Sequence, residues 1–231
     1  MRLCSYVIKY DSGLAPNPFH GYCTLALCTP NHMKARAKCG DWLIGNSPKA
    51  DQNHLVYAMR ISEVISMNAY SDDPRFQQKK PRPDGDPAEQ CGDNLYYTER
   101  GGDWRRLPSR FHNDCDSFIK DIGRDFGGRP VFVSELFYYF GNCRVTVPHE
   151  LSGIIKDRQG IKWTTGPLAD DFVEWLEANH KPGVTGRPSD LSDKRSETGP
   201  MLTSWSADCE DALSLTRPAR SPNKPRRKGE C

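Results

Sequence analysis

One short segment concentrates side chains that could contact a ligand. Residues 16–23 read PNPFHGYC, and the strand-like run TLALC follows directly. Phe19 and Tyr22 offer aromatic faces for stacking, and Asn17 offers a side-chain amide. His20 adds an acid–base group. A hairpin turn needs only Asn-Gly or Asp-Gly, so the segment predicts either a binding loop that its prolines hold open or a rigid bend whose rings fill the interior.

A second segment, HNDCD at residues 112–116, collects nucleophile and base types. His112 and Cys115 would share a face only if the stretch were helical, and no third group that would orient them can be assigned. The pattern predicts a capping or surface turn by default, with catalysis as the alternative.

The compact group of possible zinc ligands is His20, Cys23, Cys28 and Cys39. It contains no CxxC pair, and Cys23 and Cys28 would point to opposite faces of a regular strand. We therefore expect no metal site. The chain has nine cysteines but no secretory signal, so we expect reduced thiols that behave as small buried apolar side chains.

Common enzyme signatures are missing from the sequence. It has no GxxxxGK[ST], no GxGxxG after a strand, no HExxH, no GxSxG and no deaminase zinc pattern, so we expect no cofactor. No run of eighteen apolar residues occurs, which predicts no membrane span and a cytoplasmic location. Any enzyme would need a site of unrecognised type.

The net charge of +2 is too small to indicate a partner, but the basic residues gather at the C-terminal end. Beyond residue 216 the sequence contains six basic residues and one acidic residue, Glu230. Prolines in the same stretch would interrupt any helix. The cations are Arg217, Arg220, Lys224, Arg226, Arg227 and Lys228. Such a tail either attracts nucleic-acid phosphates or keeps the chain in solution.

Hydrophobic periodicity predicts an α+β fold, and its short, irregular strands favour a small barrel or half-barrel. Strand patterns lie near residues 3–10, 22–28, 42–44, 54–67, 94–98 and 129–141. Ser66 is placed to cap a short helix, and PLADDFVEWLEANH at 167–180 predicts a longer one. Apolar residues make up only 36% of the chain, which indicates one domain over residues 1–180 and a disordered, basic, Pro/Ser-rich tail over 181–231.

Five segments in order resemble a known family. They are APNPFHGYCTLALCTP, KCGDWLIG, residues 54–81, GDNLYY and VFVSELFYYFG. Together they resemble the type-two nucleotide modification associated domain family, which is named for its gene contexts around DNA base hypermodification. The resemblance covers roughly residues 1–145. The middle of the chain is more distantly similar to PUA-like barrels of the EVE, ASCH and YTH kinds.

The resemblance implies a small mixed β-barrel with short peripheral helices that takes a single, often modified, base into a pocket. The aromatic faces and the amide of PNPFHGY are the groups such a pocket needs. Tyr138 and Tyr139 could line it too, with core packing as the alternative. The candidate base-binding residues are Asn17, Phe19, His20, Tyr22, Asp41, Trp42, Tyr138 and Tyr139.

The implied function is a binding module for DNA or a modified nucleotide, associated with base modification. Two alternatives stay open. One is an enzyme or accessory factor that makes or removes hypermodified bases, with HNDCD or His20 as its reactive centre. The other is an adaptor that binds base-modification enzymes.

Overall fold

A computed structural model of the protein describes residues 1–27, 35–82, 84–98, 102, 104–110 and 130–191. Within these ranges the strands are β1 Arg2–Val7, β2 Cys23–Leu25, β3 Trp42–Asn46, β4 Leu55–Arg60, β5 Glu63–Ile65, β6 Tyr96–Thr98, β7 Trp104–Arg106, β8 Val131–Ser134, β9 Leu136–Tyr139, β10 Ile161–Thr165 and β11 Gly183–Val184. The α-helices are α1 Met67–Asp72, α2 Pro87–Gln90 and α3 Pro167–Asn179. Short 3₁₀ helices span Lys49–Asp51, Pro74–Lys79 and His149–Ile154.

The largest sheet has six strands in the order β10-β1-β3-β4-β9-β11. Alternation along its strands separates the aromatic side chains by face. Trp42 and Tyr138 pack with helix α3 on one face, while Tyr57 and Tyr139 pack on the other face with residues of a second sheet, β2-β8-β5. The six-stranded sheet therefore lies between a helix and a smaller sheet.

A bent two-strand ribbon connects the two sheets. Each of the long predicted strands, 54–67 and 129–141, splits into two, so that β4 and β9 pair in the large sheet while β5 and β8 pair in the small one. At the bend, the Ser134 hydroxyl lies 2.6 Å from the carbonyl oxygen of Arg60 and 2.7 Å from that of Leu136. The backbone N–H of Glu135 donates to the Ser62 hydroxyl. These hydroxyls satisfy backbone groups that the bend removes from the ladder.

A third layer covers the outer face of the small sheet. It consists of α1, the 3₁₀ helix Pro74–Lys79 and the hairpin β6–β7, and its core includes Tyr70, Phe76 and Val133. The predicted cap on α1 is confirmed, because the Ser66 hydroxyl accepts a hydrogen bond from the backbone N–H of Ala69 at 3.2 Å.

The α+β class and the helix predicted at 167–180 are confirmed. The PUA-like barrel is not formed by the described residues, whose six-stranded sheet stays open with β10 and β11 at its ends. The physical reason is the bend, which carries β5 and β8 into a separate small sheet; within the described ranges no strand pairing joins that sheet to the ends of the large one. None of the helices in the described ranges is long and apolar enough to cross a membrane.

The described chain continues past the predicted domain boundary at residue 180. Strand β11 pairs in parallel with β9. The backbone N–H of Ser189 donates to the Asp11 carboxylate at 3.0 Å, and the N–H of Asp190 donates to the Asp11 carbonyl at 2.9 Å. Residues 183–191 thus pack against the fold, whereas the predicted tail from residue 192 onward lies outside the described residues.

Replacing Ser134 with Ala is expected to lower the free energy of unfolding by about 1–3 kcal/mol, because buried carbonyl groups at the bend lose their donor. Urea denaturation measures the change. Ser152→Ala is the matched control: its exposed hydroxyl bonds only to the His149 carbonyl, so a change within about 0.5 kcal/mol is expected. Equal losses in both variants would contradict a special role for Ser134.

Candidate functional site

A buried lysine holds the two ends of the PNPFHGY loop. Lys79 ends the 3₁₀ helix Pro74–Lys79 and is only 1% exposed. Its ammonium donates to the side-chain oxygen of Asn17 at 2.7 Å, to the Asn17 carbonyl at 3.1 Å and to the Tyr22 carbonyl at 3.0 Å. All three ammonium protons are therefore used, which fixes the separation of the loop ends.

Asn17 is part of this support. Its side-chain nitrogen donates to the Cys91 carbonyl at 3.3 Å, and its backbone exchanges two 2.9 Å hydrogen bonds with Thr24. The residue is buried, with its amide oxygen bonded to Lys79 and its amide nitrogen bonded to Cys91. The geometry gives Asn17 a structural role in the loop, and contact with a base edge would require these bonds to be exchanged.

A buried carboxylate completes the polar cluster. Asp93 accepts a hydrogen bond from the Thr24 hydroxyl at 2.6 Å and another from the Tyr70 hydroxyl at 2.6 Å. Burial raises the pKa of Asp93, and the charge of Lys79 and both hydroxyls oppose that change. Burial also lowers the pKa of Lys79 to about 8, against the opposing attraction of Asp93.

The loop presents its remaining side chains outward. His20 is exposed, while Phe19 and Tyr22 are half-buried. His20 and Gly21 have φ values of 58° and 80°, so two successive left-handed residues turn the chain at the loop tip. The ring of Phe19 packs so closely over Gly13 that a Cβ there would come within 3.1 Å of it. The loop is thus supported from the inside, and its two rings keep part of their surface exposed.

An arginine supports the ring of Tyr22. The Arg75 guanidinium lies 6.0 Å from the Tyr22 ring centre and 4.8 Å from that of Phe76. Two carboxylates hold it, Glu63 at 2.5 Å and Asp73 at 2.7 Å, and they raise its pKa. Because both carboxylates already pair with it, Arg75 acts here as a positioning residue for the aromatic ring.

His20 was the candidate reactive centre of the enzymatic alternative. Partial burial and the nearby Lys79 charge lower the pKa of His20, which favours the neutral imidazole. Among the described residues no side chain makes a hydrogen bond that would orient this imidazole. The other candidate, HNDCD, lies outside the described residues.

The remaining predicted base contacts lie elsewhere. Trp42 and Tyr138 are each 2% exposed and stack on each other in the core under α3. Tyr139 lies on the opposite face, where its hydroxyl donates to Asp11 at 2.5 Å. Asp41 is only 7% exposed and is bonded twice to the Arg2 guanidinium. A contact between these groups and a base stays a prediction, and for the three rings it would require the core to open.

The candidate zinc ligands are dispersed in the described structure. Cys23 is buried in strand β2, and burial raises the pKa of its thiol to about 12, whereas His20 and Cys39 are exposed. Cys28 lies outside the described residues. In the described ranges, no three His, Cys, Asp or Glu side chains gather where they could hold a metal ion. All six basic tail residues also lie outside those ranges.

The sequence did not reveal the polar cluster. The sequence predicts a polar loop from Gln77 to about Gly92, which includes Lys79 in the run QQKK, and Asp93 directly follows it. Local composition cannot separate the buried lysine from its half-exposed neighbour. One signal was available: Asn17 is flanked by prolines in a segment with more functional groups than a turn requires.

Replacing Lys79 with Met is expected to destabilise the protein by about 1–3 kcal/mol, because the buried oxygens of Asn17 and the Tyr22 carbonyl lose their donor. Chemical denaturation measures the loss. The control is Lys80→Met, which removes a half-exposed ammonium and is expected to change stability by about 0.5 kcal/mol or less. Similar values for both variants would contradict the role assigned to Lys79.

The lowered pKa of Lys79 also predicts a pH dependence. Its pKa is about 8 in the folded protein and 10.5 ordinarily, so between these values the unfolded chain binds more protons. Stability contributed through this residue must therefore rise as pH increases from 8 to 10.5. The difference in unfolding free energy between the parent and Lys79→Met is expected to widen over that window, and a constant difference would contradict it.

Comparison with known proteins places the chain in a family. Searches of curated proteins and of solved structures found no match. A family model described as nucleotide modification associated domain 2 matches residues 1–195, which includes the loop, its support cluster and strand β11. The match extends beyond the range over which the sequence resemblance was noted and confirms it. The chain therefore belongs to the nucleotide modification associated domain 2 family, whose name associates it with nucleotide modification.

Proposed function

We propose that the protein binds nucleic acid or nucleotides that carry an altered base, and that the PNPFHGY loop contacts the base. The observation that carries the proposal is the division of the loop into two halves. Asn17 and the backbone carbonyl of Tyr22 face inward and bond to Lys79. Phe19, His20 and the ring of Tyr22 keep exposed surface.

This division supports recognition of a planar ligand. A base gains stacking energy on an aromatic face only if that face is already in place, since ordering a mobile loop would offset the gain. Lys79 and Asn17 supply that order from inside the protein. The neutral imidazole of His20 then adds one donor and one acceptor beside the rings.

The wider partners follow from the same proposal. The family name associates the domain with nucleotide modification, which supports DNA or a modified nucleotide as the ligand and base-modification enzymes as partners. The six cations beyond residue 216 would add attraction to phosphates that does not depend on sequence. Stacking by the loop and attraction by the tail should then be separable in binding measurements.

The Phe19→Ala variant is expected to weaken binding by about 1–3 kcal/mol, because one stacking surface is lost. Binding is measured by fluorescence anisotropy with a DNA oligonucleotide that carries one hydroxymethylated pyrimidine and with its unmodified counterpart. Tyr10→Ala is the matched control, since Tyr10 is an aromatic residue 77% exposed outside the loop, and no change is expected.

Deletion after Thr216 is expected to weaken binding to both oligonucleotides equally and to flatten the salt dependence.

Thermal unfolding of each variant checks that it is folded. If Phe19→Ala is folded and binds both oligonucleotides as the parent does, the loop is a structural bend and the proposal is wrong.

His20→Gly gives a second test, because glycine tolerates the left-handed backbone at this position and the side chain is exposed. Loss of discrimination between the two oligonucleotides in this variant is the expected result.

A further inference from the structure

A polar groove lies at a second place in the fold, separate from the PNPFHGY loop. Its volume is about 420 Å³, within the range of small-molecule sites. Its lining residues include Gln52 and Asn53, which carry side-chain amides, and the aliphatic Val147 and Ile155. No residue of segment 16–23 contributes to its lining.

The walls of the groove are fixed by bonds between distant parts of the chain. Leu55 and Val145 exchange backbone hydrogen bonds of 2.8 and 3.1 Å, which places the turn before β4 beside residues 145–147. Arg144 pairs with Asp51 at 3.3 Å across the same junction. The side-chain nitrogen of Asn46 donates to the Lys156 carbonyl at 2.9 Å and so holds the opposite wall.

The turn that carries the two amides has an uncommon backbone. Gln52 and Asn53 are consecutive residues with φ values of 64° and 56°, and a non-glycine pair in this region is costly. The side-chain oxygen of Asn53 is buried and has no hydrogen-bond partner within the described part of the chain. A buried acceptor without a donor is unfavourable, and a ligand in the groove could supply that donor once the Asn53 side chain turns toward it.

Other groups of the lining keep hydrogen-bonding capacity. The Ser152 hydroxyl donates to the His149 carbonyl at 2.6 Å, so it can still accept. The Lys162 ammonium donates to the carbonyls of Gly153 and Ile155, which leaves one N–H. Acceptors and donors are therefore both available in one groove.

The charges of the groove select among ligands. Asp157 and Lys162 line it with opposite charges, so it offers no excess positive charge to a phosphate. Asn and Gln amides form paired hydrogen bonds with base edges, and Val147 and Ile155 offer apolar surface to a planar ring. We propose that this groove binds a neutral nucleoside, with Asn53 and Gln52 contacting the base edge.

The proposal that the ligand is a nucleoside, and not another neutral molecule, rests on the proposed function. The evidence for the groove does not depend on that function. A domain associated with nucleotide modification could bind an altered base within a strand at the loop and a free nucleoside at the groove. The two sites share no residue of their lining, so variants can separate them.

Isothermal titration calorimetry of the full chain tests the proposal with deoxycytidine, deoxyadenosine, 5-hydroxymethyldeoxycytidine and their 5′-monophosphates. At least one nucleoside is expected to bind more tightly than its monophosphate. Asn53→Gly keeps the left-handed turn and removes the amide, and it is expected to weaken nucleoside binding about tenfold. Arg36→Gly is the matched control, because Arg36 also has a positive φ, 47°, and does not line the groove.

The loop variant distinguishes the two sites. Phe19→Ala is expected to leave nucleoside binding unchanged, and Asn53→Gly is expected to leave oligonucleotide binding unchanged. If no nucleoside binds the parent at millimolar concentration, or if Asn53→Gly binds as the parent does, the groove proposal is wrong whatever the loop does. If a neutral sugar binds as well as a nucleoside, the assignment of the ligand class is wrong.

Discussion

The arrangement of the candidate site depends on one buried ammonium. Removing Lys79 from water is costly unless every proton finds an acceptor, and the acceptors that it finds belong to Asn17 and Tyr22. Asp93 offsets part of the same cost with its charge and is itself held by two hydroxyls. The energetics of a core charge thus determine the shape of a surface loop.

The bent ribbon determines what can and cannot join that loop. Strands β4 and β9 stay in the large sheet, while β5 and β8 leave it. The aromatic residues predicted to contact a base therefore lie in different cores, Tyr139 in one and Trp42 and Tyr138 in the other. Trp42 and Tyr138 are used to pack α3 against the sheet. Among the rings predicted to contact a base, those that keep exposed surface are Phe19 and Tyr22 of the loop itself, which confines the proposed base contact to one small surface.

The loop and the groove would each bind a base, but through different interactions. In the loop, the Asn17 side chain is bonded to Lys79 and Cys91 and the aromatic rings keep exposed surface, so stacking would dominate recognition. In the groove, aliphatic side chains are combined with amides, and the Asn53 oxygen is left without a partner, so hydrogen bonds would dominate. Stacking tolerates any base, so discrimination at the loop would depend on His20, whereas the amides of the groove would discriminate by hydrogen bonds.

The sequence by itself determined the α+β class, helix α3, the Ser66 cap and the family, because these depend on local periodicity, capping and ordered motifs. It also singled out PNPFHGY by composition. Only the tertiary structure decided that Lys79 is buried and Lys80 is not. It likewise decided that the strand at 54–67 bends at Ser62. Burial and bending result from contacts between residues far apart in the chain, and no local pattern records those contacts.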